Sequence, residues 1–558
     1  MQKSCRFVWL IYLAGIIIYF GIIHLFTIPV HLSVDEELYI SMARSFHYEG
    51  VFAKGGEVLN YSCVLYSMLL SLAYYFYSPE NILLAFRTIN VIIMLSSVFP
   101  TFLLGRSIFK DEKKTLIICG ISLFLPTMMD TAYCMQESLA YPLFLWIAYF
   151  IYREIEEDKL LSLSKESIII AVLSIVCYFT KTYMIFIPLV YCGFLFIEAV
   201  IKKYPSVWEK MVLFCGILLL LYVGGKFGIL YINDGIEGAN HYASQFSRLF
   251  PITGQTIIAA ISCMIIYTAG LLFYWGVLPV ILPLCNYKTL EEKDRKFFAF
   301  LFLSILVLIV EIVLSIVLTE EGNVLAPKKI LYRYFQILEI PLFMVLLKGL
   351  EKMKFPKKLW AVYTAVFGTL IIYYIYIGDR QRTSIIDAPL YLFMENISRY
   401  VFPFFNVVVC ILAAGIVGIG AWLYCKERKQ CIDLLKMFNG IGIICIILLF
   451  VINLFQLPYY TNVIADGKRV ENDAVEIAHY LMEDEGHTDI YFVLSDTDRY
   501  ERAVYAYLEE KVICLSEKEL ETLNDKNAIV IASVHCELGE RFQKTELSTE
   551  VLNVARLK

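Results

Sequence analysis

Long apolar runs constrain this chain more than any other feature of its sequence. Runs of about 17 to 25 apolar residues recur along most of the 558 residues, and a helix of that length spans the hydrocarbon core of a bilayer. Hydrophobic residues make up 59% of the chain and charged residues only 18%. The sequence therefore predicts an α-helical polytopic membrane protein.

The apolar runs predict thirteen membrane spans, of which the tenth is short. The run at 254–284 is long enough for a strongly tilted or broken helix. The predicted spans are roughly 7–30, 84–105, 115–132, 138–152, 166–180, 183–201, 210–231, 254–284, 297–318, 334–349, 358–378, 400–424 and 438–456.

One segment, 60–77, decides the predicted topology. It is apolar and aromatic enough to suggest a further span, and counting it would invert every later span. If it does not cross, loops rich in Lys and Arg lie on the cytoplasmic side, as the positive-inside rule requires. These loops are 106–114, 153–165, 202–210, 288–296, 348–358 and 426–436. We therefore expect 31–83 to form one large extracytoplasmic loop, with 60–77 on or dipping into the interface.

The composition changes after Leu457-Pro458, where the chain becomes water-soluble. Helical patterns at 470–484, 498–509 and 517–524 alternate with predicted strands at 489–494, 511–515 and 528–532. This alternation predicts a small α/β domain. We expect a membrane domain at 1–458 and an accessory domain at 459–558, which an odd number of spans places outside. The segment lacks the glycine-rich nucleotide-binding motifs.

The first acidic cluster, Asp35-Glu36-Glu37, follows the first apolar run. One interpretation is helix capping, because Ser33 and Glu36 have the S-x-x-E spacing and acidic groups favour a helix N-terminus. Capping gives Asp35 no role. The second interpretation is therefore a catalytic carboxylate at the boundary between membrane and water.

Further charged candidates lie where predicted spans begin or end on the same face. Glu137 opens the fourth span, where favourable placement at the helix dipole is the simpler explanation, and Asp130 precedes it. Lys181 lies in the turn between the fifth and sixth spans, a position typical of a snorkelling lysine. Arg333 opens the tenth span beside Lys328 and Lys329, against the positive-inside bias. Together Lys181 and Arg333 could bind a phosphate at the outer headgroup level.

Three ionisable residues, Lys226, Glu311 and Glu339, fall inside predicted spans, in their outer halves. Such residues are functional candidates, and a Lys226–Glu311 ion pair is the structural alternative. The fifteen cysteines lie mostly in apolar runs and form no C-x-x-C pair, and the seven histidines form no ligand motif. No metal site is indicated.

Short motifs, in a fixed order and on one predicted face, resemble the C-type, lipid-linked-sugar glycosyltransferases. This superfamily includes the protein O-mannosyltransferases and the bacterial aminoarabinose transferases. Val34 and Tyr61-Ser62 depart from prolines that are frequent in the superfamily. The matching residues are Asp35-Glu36, Leu38-Tyr39, Ala43-Arg44-Ser45, Leu65 to Leu70, Arg87, Gly105-Arg106-Ser107-Ile108-Phe109, Glu137, Thr180-Lys181 and Arg333-Tyr334.

The resemblance implies a glycosyltransferase of the bacterial plasma membrane. Its donor would be a sugar on polyprenyl phosphate and its acceptor a hydroxyl of a lipid, glycan or protein outside the cytoplasm. It assigns Asp35 as general base of an inverting reaction, with Glu36 or Glu137 orienting the acceptor or sugar. Lys181, Arg333, Tyr334 and Arg87 would bind the donor phosphate. No cofactor, metal or nucleic acid is expected, and membrane lipids are the other partners.

Two alternatives remain open. A lipid or polysaccharide transporter would show repeats and midplane polar sites, whereas this chain shows no internal repeat and collects its polar groups on one face. A lipid-linked glycan polymerase or ligase would use a large outside loop, for which the 379–399 loop with Arg380, Arg382 and Arg399 is a candidate.

Overall fold

The computed structural model of the chain is mainly helical. It describes residues 2–25, 34–202, 206–236, 253–274, 278–319, 331–349 and, with short gaps at 485, 487–488, 495–503, 526, 537 and 548, 460–557. The predicted spans at 358–378, 400–424 and 438–456 lie outside these residues, as do Ser33, Lys328, Lys329 and the 379–399 loop.

The first helix leads into a loop that contains structure of its own. Helix α1 (Gln2–Leu25) is followed by α2 (Val34–Tyr48), a hairpin of β1 (Ala53–Lys54) and β2 (Glu57–Val58), and α3 (Leu65–Leu70) with a 3₁₀ segment, Ser71–Phe76. The apolar helix over 65–76 is shorter than a span, since a bilayer needs about 20 helical residues. The helix over 65–76 therefore cannot cross the membrane alone. The position of this segment at the membrane interface stays a prediction.

The central part of the chain is a bundle of apolar helices. Short 3₁₀ segments at Pro126–Ala132, Thr182–Ile185, Tyr287–Thr289 and Tyr332–Leu338 lie between them. The helices are α4 (Ile82–Leu95), α5 (Val98–Phe109), α6 (Glu112–Leu123), α7 (Glu137–Glu156), α8 (Lys165–Thr180), α9 (Phe186–Lys202), α10 (Ser206–Ile232), α11 (Gly254–Tyr274), α12 (Leu278–Cys285), α13 (Glu292–Thr319) and α14 (Glu339–Gly349).

Four stretches of the described residues are long and apolar enough to cross a membrane: Ile82–Phe109, Thr182–Ile201, Ser206–Ile232 and Glu292–Ser315. The first is interrupted between α4 and α5, because Pro100 has no N–H to bond the carbonyl of Ser96. Within the long run at 254–284 the structure describes two helices, α11 and α12. Residues 275–277 lie outside the described residues, so a strongly tilted or broken helix stays a prediction.

A buried ion pair joins α7 to α10 at the end of the bundle opposite Glu137. The Nζ atom of Lys210 lies 3.0 Å from each carboxylate oxygen of Glu154, and both side chains are fully buried. Tyr191 of α9 and Ser164, which caps α8, also donate to Glu154, at 2.5 and 2.6 Å. Since the carboxylate is fully paired, this network fixes the packing of four helices. We call this end of the helix bundle the Glu154 end.

The C-terminal segment (residues 460–557) begins with α15 (Tyr460–Glu483) and continues as a five-stranded sheet. Three strands lie close to where the sequence predicts them. Two strands, at Phe542–Lys544 and Leu552–Leu557, were not predicted. Of the predicted helix at 498–509, the structure describes residues 504–509 and has a helix at Val504–Tyr507. The strands and short helices are β3 (Ile490–Leu494), α16 (Val504–Tyr507), β4 (Val512–Ser516), α17 (Glu517–Leu520), β5 (Ile529–Ser533), β6 (Phe542–Lys544) and β7 (Leu552–Leu557).

The sheet has a mixed topology, with strand order β4-β3-β5-β7-β6. β3 is parallel to β4 and β5, whereas β7 is antiparallel to β5 and β6. The central strand β5 is buried along its whole length, as expected for a strand covered on both faces. The division of the chain into two domains at 458 stays a prediction.

The C-terminal segment packs against the loop that carries α2. The backbone N–H of Cys514 donates to the carbonyl of Gly55 at 3.1 Å, and the hydroxyl of Tyr74 donates to the carbonyl of Ala506 at 3.3 Å. Gly55 has a φ of +57°, and a Cβ atom there would lie 2.6 Å from the Cys514 sulfur. Only glycine therefore fits this close approach.

Candidate active site

Four charged side chains meet at the end of the bundle where α7 begins. The Nζ atom of Lys181 lies 2.5 Å from Oε1 of Glu137, and Nε of Arg333 lies 3.3 Å from the same oxygen. The Nη2 atom of Arg333 also lies 3.5 Å from Oδ2 of Asp35. We call these four residues the charged cluster. The structure thus brings together four of the seven residues that the sequence singled out, and a fifth, Tyr334, packs against two of them.

The helix ends explain how these residues are positioned. Glu137 is the first residue of α7, where the helix dipole favours a carboxylate. Lys181 directly follows the last residue of α8 and has an extended backbone, at a helix end that favours a cation. Arg333 belongs to the 3₁₀ segment before α14. Asp35 lies in the first turn of α2.

Burial separates Asp35 from the other three residues. The side chains of Glu137, Lys181 and Arg333 are 5, 8 and 10% exposed, whereas that of Asp35 is 46% exposed. The buried part of the cluster thus contains two cations and one carboxylate. Such a site has a net positive charge in a low-dielectric environment, which favours the binding of an anion.

Two tyrosines pack against the cations. The ring centre of Tyr334 lies 5.1 Å from Nζ of Lys181 and 5.3 Å from Cζ of Arg333, distances at which cation–π attraction operates. The ring of Tyr183 packs edge-on against Tyr334, with centroids 4.4 Å apart. Sequence reasoning missed Tyr183, because an aromatic residue near the end of a span is an ordinary interface anchor. The sequence offered one signal for Tyr183, namely its position two residues after Lys181.

Glu36 and Arg87 contact the backbone of the turn just before Glu137. The Oε1 atom of Glu36 accepts a hydrogen bond of 2.9 Å from the N–H of Cys134. The Nε–H of Arg87 donates to the carbonyl of Ala132 at 3.2 Å. Both side chains are buried. These contacts hold the 132–134 turn, and through it the start of α7, in place.

Other polar candidates have partners outside the four residues of the charged cluster. Lys226 donates to the hydroxyl of Ser62 at 2.6 Å, and the structure does not pair it with Glu311. Thr127 donates to Gln336 at 2.6 Å and contacts Asp130 at 3.5 Å. In the described part of the chain, no group of His, Cys, Asp and Glu is arranged as a metal site.

Comparison with solved structures reveals similarity over almost the whole chain. ArnT from Cupriavidus metallidurans bound to undecaprenyl phosphate aligns with a TM-score of 0.55 at 10% identity, covering 99% of this chain and 97% of that chain. ArnT in the apo state aligns with a TM-score of 0.54 at 11% identity, covering 99 and 98%.

A weaker similarity is to the archaeal oligosaccharyltransferase AglB from Archaeoglobus fulgidus, in complex with an inhibitory peptide and a dolichol-phosphate. Its TM-score is 0.42 at 10% identity, over 94% of this chain and 69% of that chain. No protein-family model and no curated protein matches the sequence.

These alignments define the fold class. The chain has the fold of ArnT over almost its whole length, which agrees with the resemblance of its short motifs to the C-type, lipid-linked-sugar glycosyltransferases. It is a polytopic helical membrane protein. The count of thirteen spans is untested, because three of the predicted spans lie outside the described residues.

Proposed function

We propose that this protein is a membrane glycosyltransferase that moves a sugar from a polyprenyl-phosphate donor to an acceptor hydroxyl on the extracytoplasmic face. The observation that carries this proposal is that the half-exposed carboxylate of Asp35 contacts Arg333, which shares the buried carboxylate of Glu137 with Lys181. An inverting transfer needs both kinds of group, a base for the acceptor and positive charge for the leaving phosphate. The shared fold with ArnT, solved with undecaprenyl phosphate, supports the same donor class.

On the donor side, Lys181 and Arg333 bind the lipid phosphate. They are two buried cations that share one buried carboxylate, so a phosphate restores the balance of charge. As the bond between the anomeric carbon and the phosphate oxygen breaks, negative charge grows on the leaving phosphate. Preorganised cations stabilise that charge, and losing one such contact typically costs about 100-fold or more in rate.

On the acceptor side, Asp35 takes the proton. Its carboxylate is half exposed and has one long contact with Arg333, so an acceptor hydroxyl can reach it. The hydroxyl oxygen bonds to the anomeric carbon as the phosphate oxygen leaves, and the hydroxyl proton passes to Asp35. The products are the glycoside, with inverted configuration, and polyprenyl phosphate.

Glu137, Glu36 and Arg87 act as positioning residues in this proposal. Glu137 contacts both cations and therefore fixes the distance between them. Glu36 and Arg87 bind the turn before Glu137. This differs from the roles that the sequence suggested, in which Glu36 or Glu137 orients a substrate and Arg87 binds the donor phosphate.

Two ion pairs support an extracytoplasmic position for the charged cluster. Lys110, before α6, and Lys293, at the start of α13, lie 3.6 and 3.7 Å from Glu156 at the Glu154 end. Two of the basic loops thus meet at the end opposite Glu137. The positive-inside rule puts that end in the cytoplasm and the charged cluster outside.

Release of free polyprenyl phosphate from a panel of polyprenyl-phosphate sugars tests the proposal. The full chain is reconstituted in liposomes with acceptor extracts, as wild type, Asp35→Asn and Asp234→Asn. Asp234 is a matched control, since it is exposed and follows α10 at the same end as Glu137. We expect release by the wild type and Asp234→Asn, and a loss of about 100-fold or more for Asp35→Asn.

Two outcomes contradict the proposal in different ways. No release by the wild type from any donor would refute the transferase and favour transport. Equal release by the wild type and a folded Asp35→Asn variant would keep the transferase and exclude Asp35 as its base.

A further inference from the structure

Three polar atoms near the charged cluster are buried without a hydrogen-bond partner in the described structure. They are Oε2 of Glu137, the hydroxyl of Tyr183 and Oε2 of Glu311. Folded proteins leave few buried polar atoms unpaired, because each loses its hydrogen bonds to water. A cluster of three at one place suggests that a ligand supplies the missing partners.

The packing brings together the elements that carry the three groups. Tyr183 follows Lys181 in the 3₁₀ segment before α9, and Nζ of Lys181 lies 5.5 Å from its ring centre. Helix α13, which carries Glu311, packs against α9 and against the 3₁₀ segment that carries Arg333. The phenol of Tyr183 interacts electrostatically with both Glu137 and Glu311. Tyr183 therefore lies within electrostatic range of both the charged cluster and Glu311.

Glu311 is an unusual residue for its position. It lies in the stretch of α13 from Glu292 to Ser315, which is long and apolar enough to cross a membrane. A carboxylate there is costly unless it is paired or functional. Among the described residues no cation forms an ion pair with Glu311, since Lys226 donates to Ser62 and Lys181 binds Glu137. Packing alone does not account for this carboxylate.

The chemistry of the three atoms selects hydroxyl groups as their ligand. Two of the three are carboxyl oxygens, which accept hydrogen bonds from hydroxyl groups. The phenol both donates and accepts. The cations that suit a phosphate, Lys181 and Arg333, belong to the charged cluster.

We infer that Glu311 and Tyr183 form a subsite for the ring hydroxyls of the donor sugar, next to the phosphate site at Lys181 and Arg333. This inference rests on the proposed function. In this arrangement a sugar hydroxyl donates to Oε2 of Glu311, and a neighbouring hydroxyl pairs with the phenol of Tyr183. The donor sugar thus lies against α13 and α9, with its anomeric carbon towards the cations.

Lipid binding in nanodiscs tests this inference without requiring turnover. The affinity of the full chain is measured for polyprenyl phosphate and for the polyprenyl-phosphate sugars of the panel. We expect Glu311→Gln and Tyr183→Phe each to weaken binding of the sugar-bearing donor by about 5- to 10-fold. We expect binding of the bare polyprenyl phosphate to remain unchanged.

Two matched variants control for the loss of a carboxylate and of a phenol. Glu198→Gln alters a buried carboxylate of α9 about 18 Å along the helix from Phe186, and Tyr231→Phe alters an exposed tyrosine of α10. Both controls should bind the two lipids as the wild type does. If Glu311→Gln fails to fold, Tyr183→Phe decides, since it removes a single oxygen.

The outcomes separate this inference from the proposed function. A wild type that binds neither lipid refutes the proposed function. A wild type that binds the sugar-bearing donor, with variants that bind it equally well, refutes the subsite alone. Variants whose affinity for both lipids falls to the same extent also refute the subsite. The two residues would then act on phosphate binding or on the packing of the helices.

Discussion

The guanidinium of Arg333 lies 3.5 Å from the carboxylate of Asp35, although the two residues come from distant parts of the sequence. The same guanidinium contacts Glu137 and packs over Tyr334. Arg333 therefore links the exposed carboxylate of the site to its buried ion pair. The planar fork of arginine can make these contacts together, whereas a lysine ammonium is a single point charge.

Arg333→Lys should therefore lower the rate of polyprenyl phosphate release by about 100-fold, even though the charge is preserved. The lysine ammonium can approach Glu137 or Asp35 but cannot bridge them. Single-turnover release from the donor measures the effect. Arg106→Lys, in the last turn of α5 at the opposite end of the bundle, serves as the control. A wild-type rate for Arg333→Lys would mean that the bridge has no role.

Glu137→Gln should destabilise the ligand-free protein by about 3–5 kcal/mol, because it leaves two buried cations without their shared carboxylate. A bound phosphate can replace the lost negative charge. We therefore expect polyprenyl phosphate to raise the unfolding temperature of the variant more than that of the wild type. Thermal unfolding with and without the lipid measures both effects. Equal shifts would show that the lipid phosphate does not contact Lys181 and Arg333.

The sequence predicted the ends of helices better than it predicted their contacts. Glu137 and Lys181 stand out because they are charged residues at boundaries of apolar runs, and the structure places both at helix ends. Their 2.5 Å contact depends on how α7 and α8 pack, which hydropathy does not encode. The sequence thus named the residues of the cluster but not their pairing.

Residues with irregular surroundings were the hardest to interpret. The sequence predicts substrate contacts for Glu36 and Arg87, and it does not indicate their contacts with backbone atoms of the 132–134 turn. Such a turn has no periodic pattern from which its position could be inferred. Strands β6 and β7 were missed for a similar reason, since β6 has three residues and β7 includes Asn553 and Arg556.

Lys210→Met should lower stability by about 3–5 kcal/mol, because it leaves the carboxylate of Glu154 buried without its cation. The change lies at the Glu154 end, away from the charged cluster. We therefore expect the rate per folded molecule to stay at the wild-type value. Thermal unfolding and release kinetics, normalised to folded protein, measure the two properties. A slower rate in the folded variant would show that the two ends are coupled.

Asp473→Ala should loosen strand β7 from α15. The buried carboxylate of Asp473 accepts hydrogen bonds of 2.9, 2.7 and 2.9 Å from the backbone N–H groups of residues 550, 551 and 552. Bonds to a charged acceptor are worth about 1.5–3 kcal/mol each. We expect faster tryptic cleavage at Arg556 in the variant. Glu476→Ala, an exposed position of the same helix, should be cleaved at the wild-type rate.

Cysteine labelling in intact cells should establish which end of the bundle faces outward. In single-cysteine variants, a membrane-impermeant maleimide should label Cys536 of the C-terminal segment directly. It should label Cys285, the last residue of α12, only after the cells are permeabilised.

Cys63 is the buried control. It should stay unlabelled until the protein is denatured, because burial raises the pKa of its thiol to about 12, and maleimides react with the thiolate. Labelling of Cys285 but not of Cys536 in intact cells would invert the topology. The charged cluster would then face the cytoplasm, and the proposed extracytoplasmic transfer would be excluded.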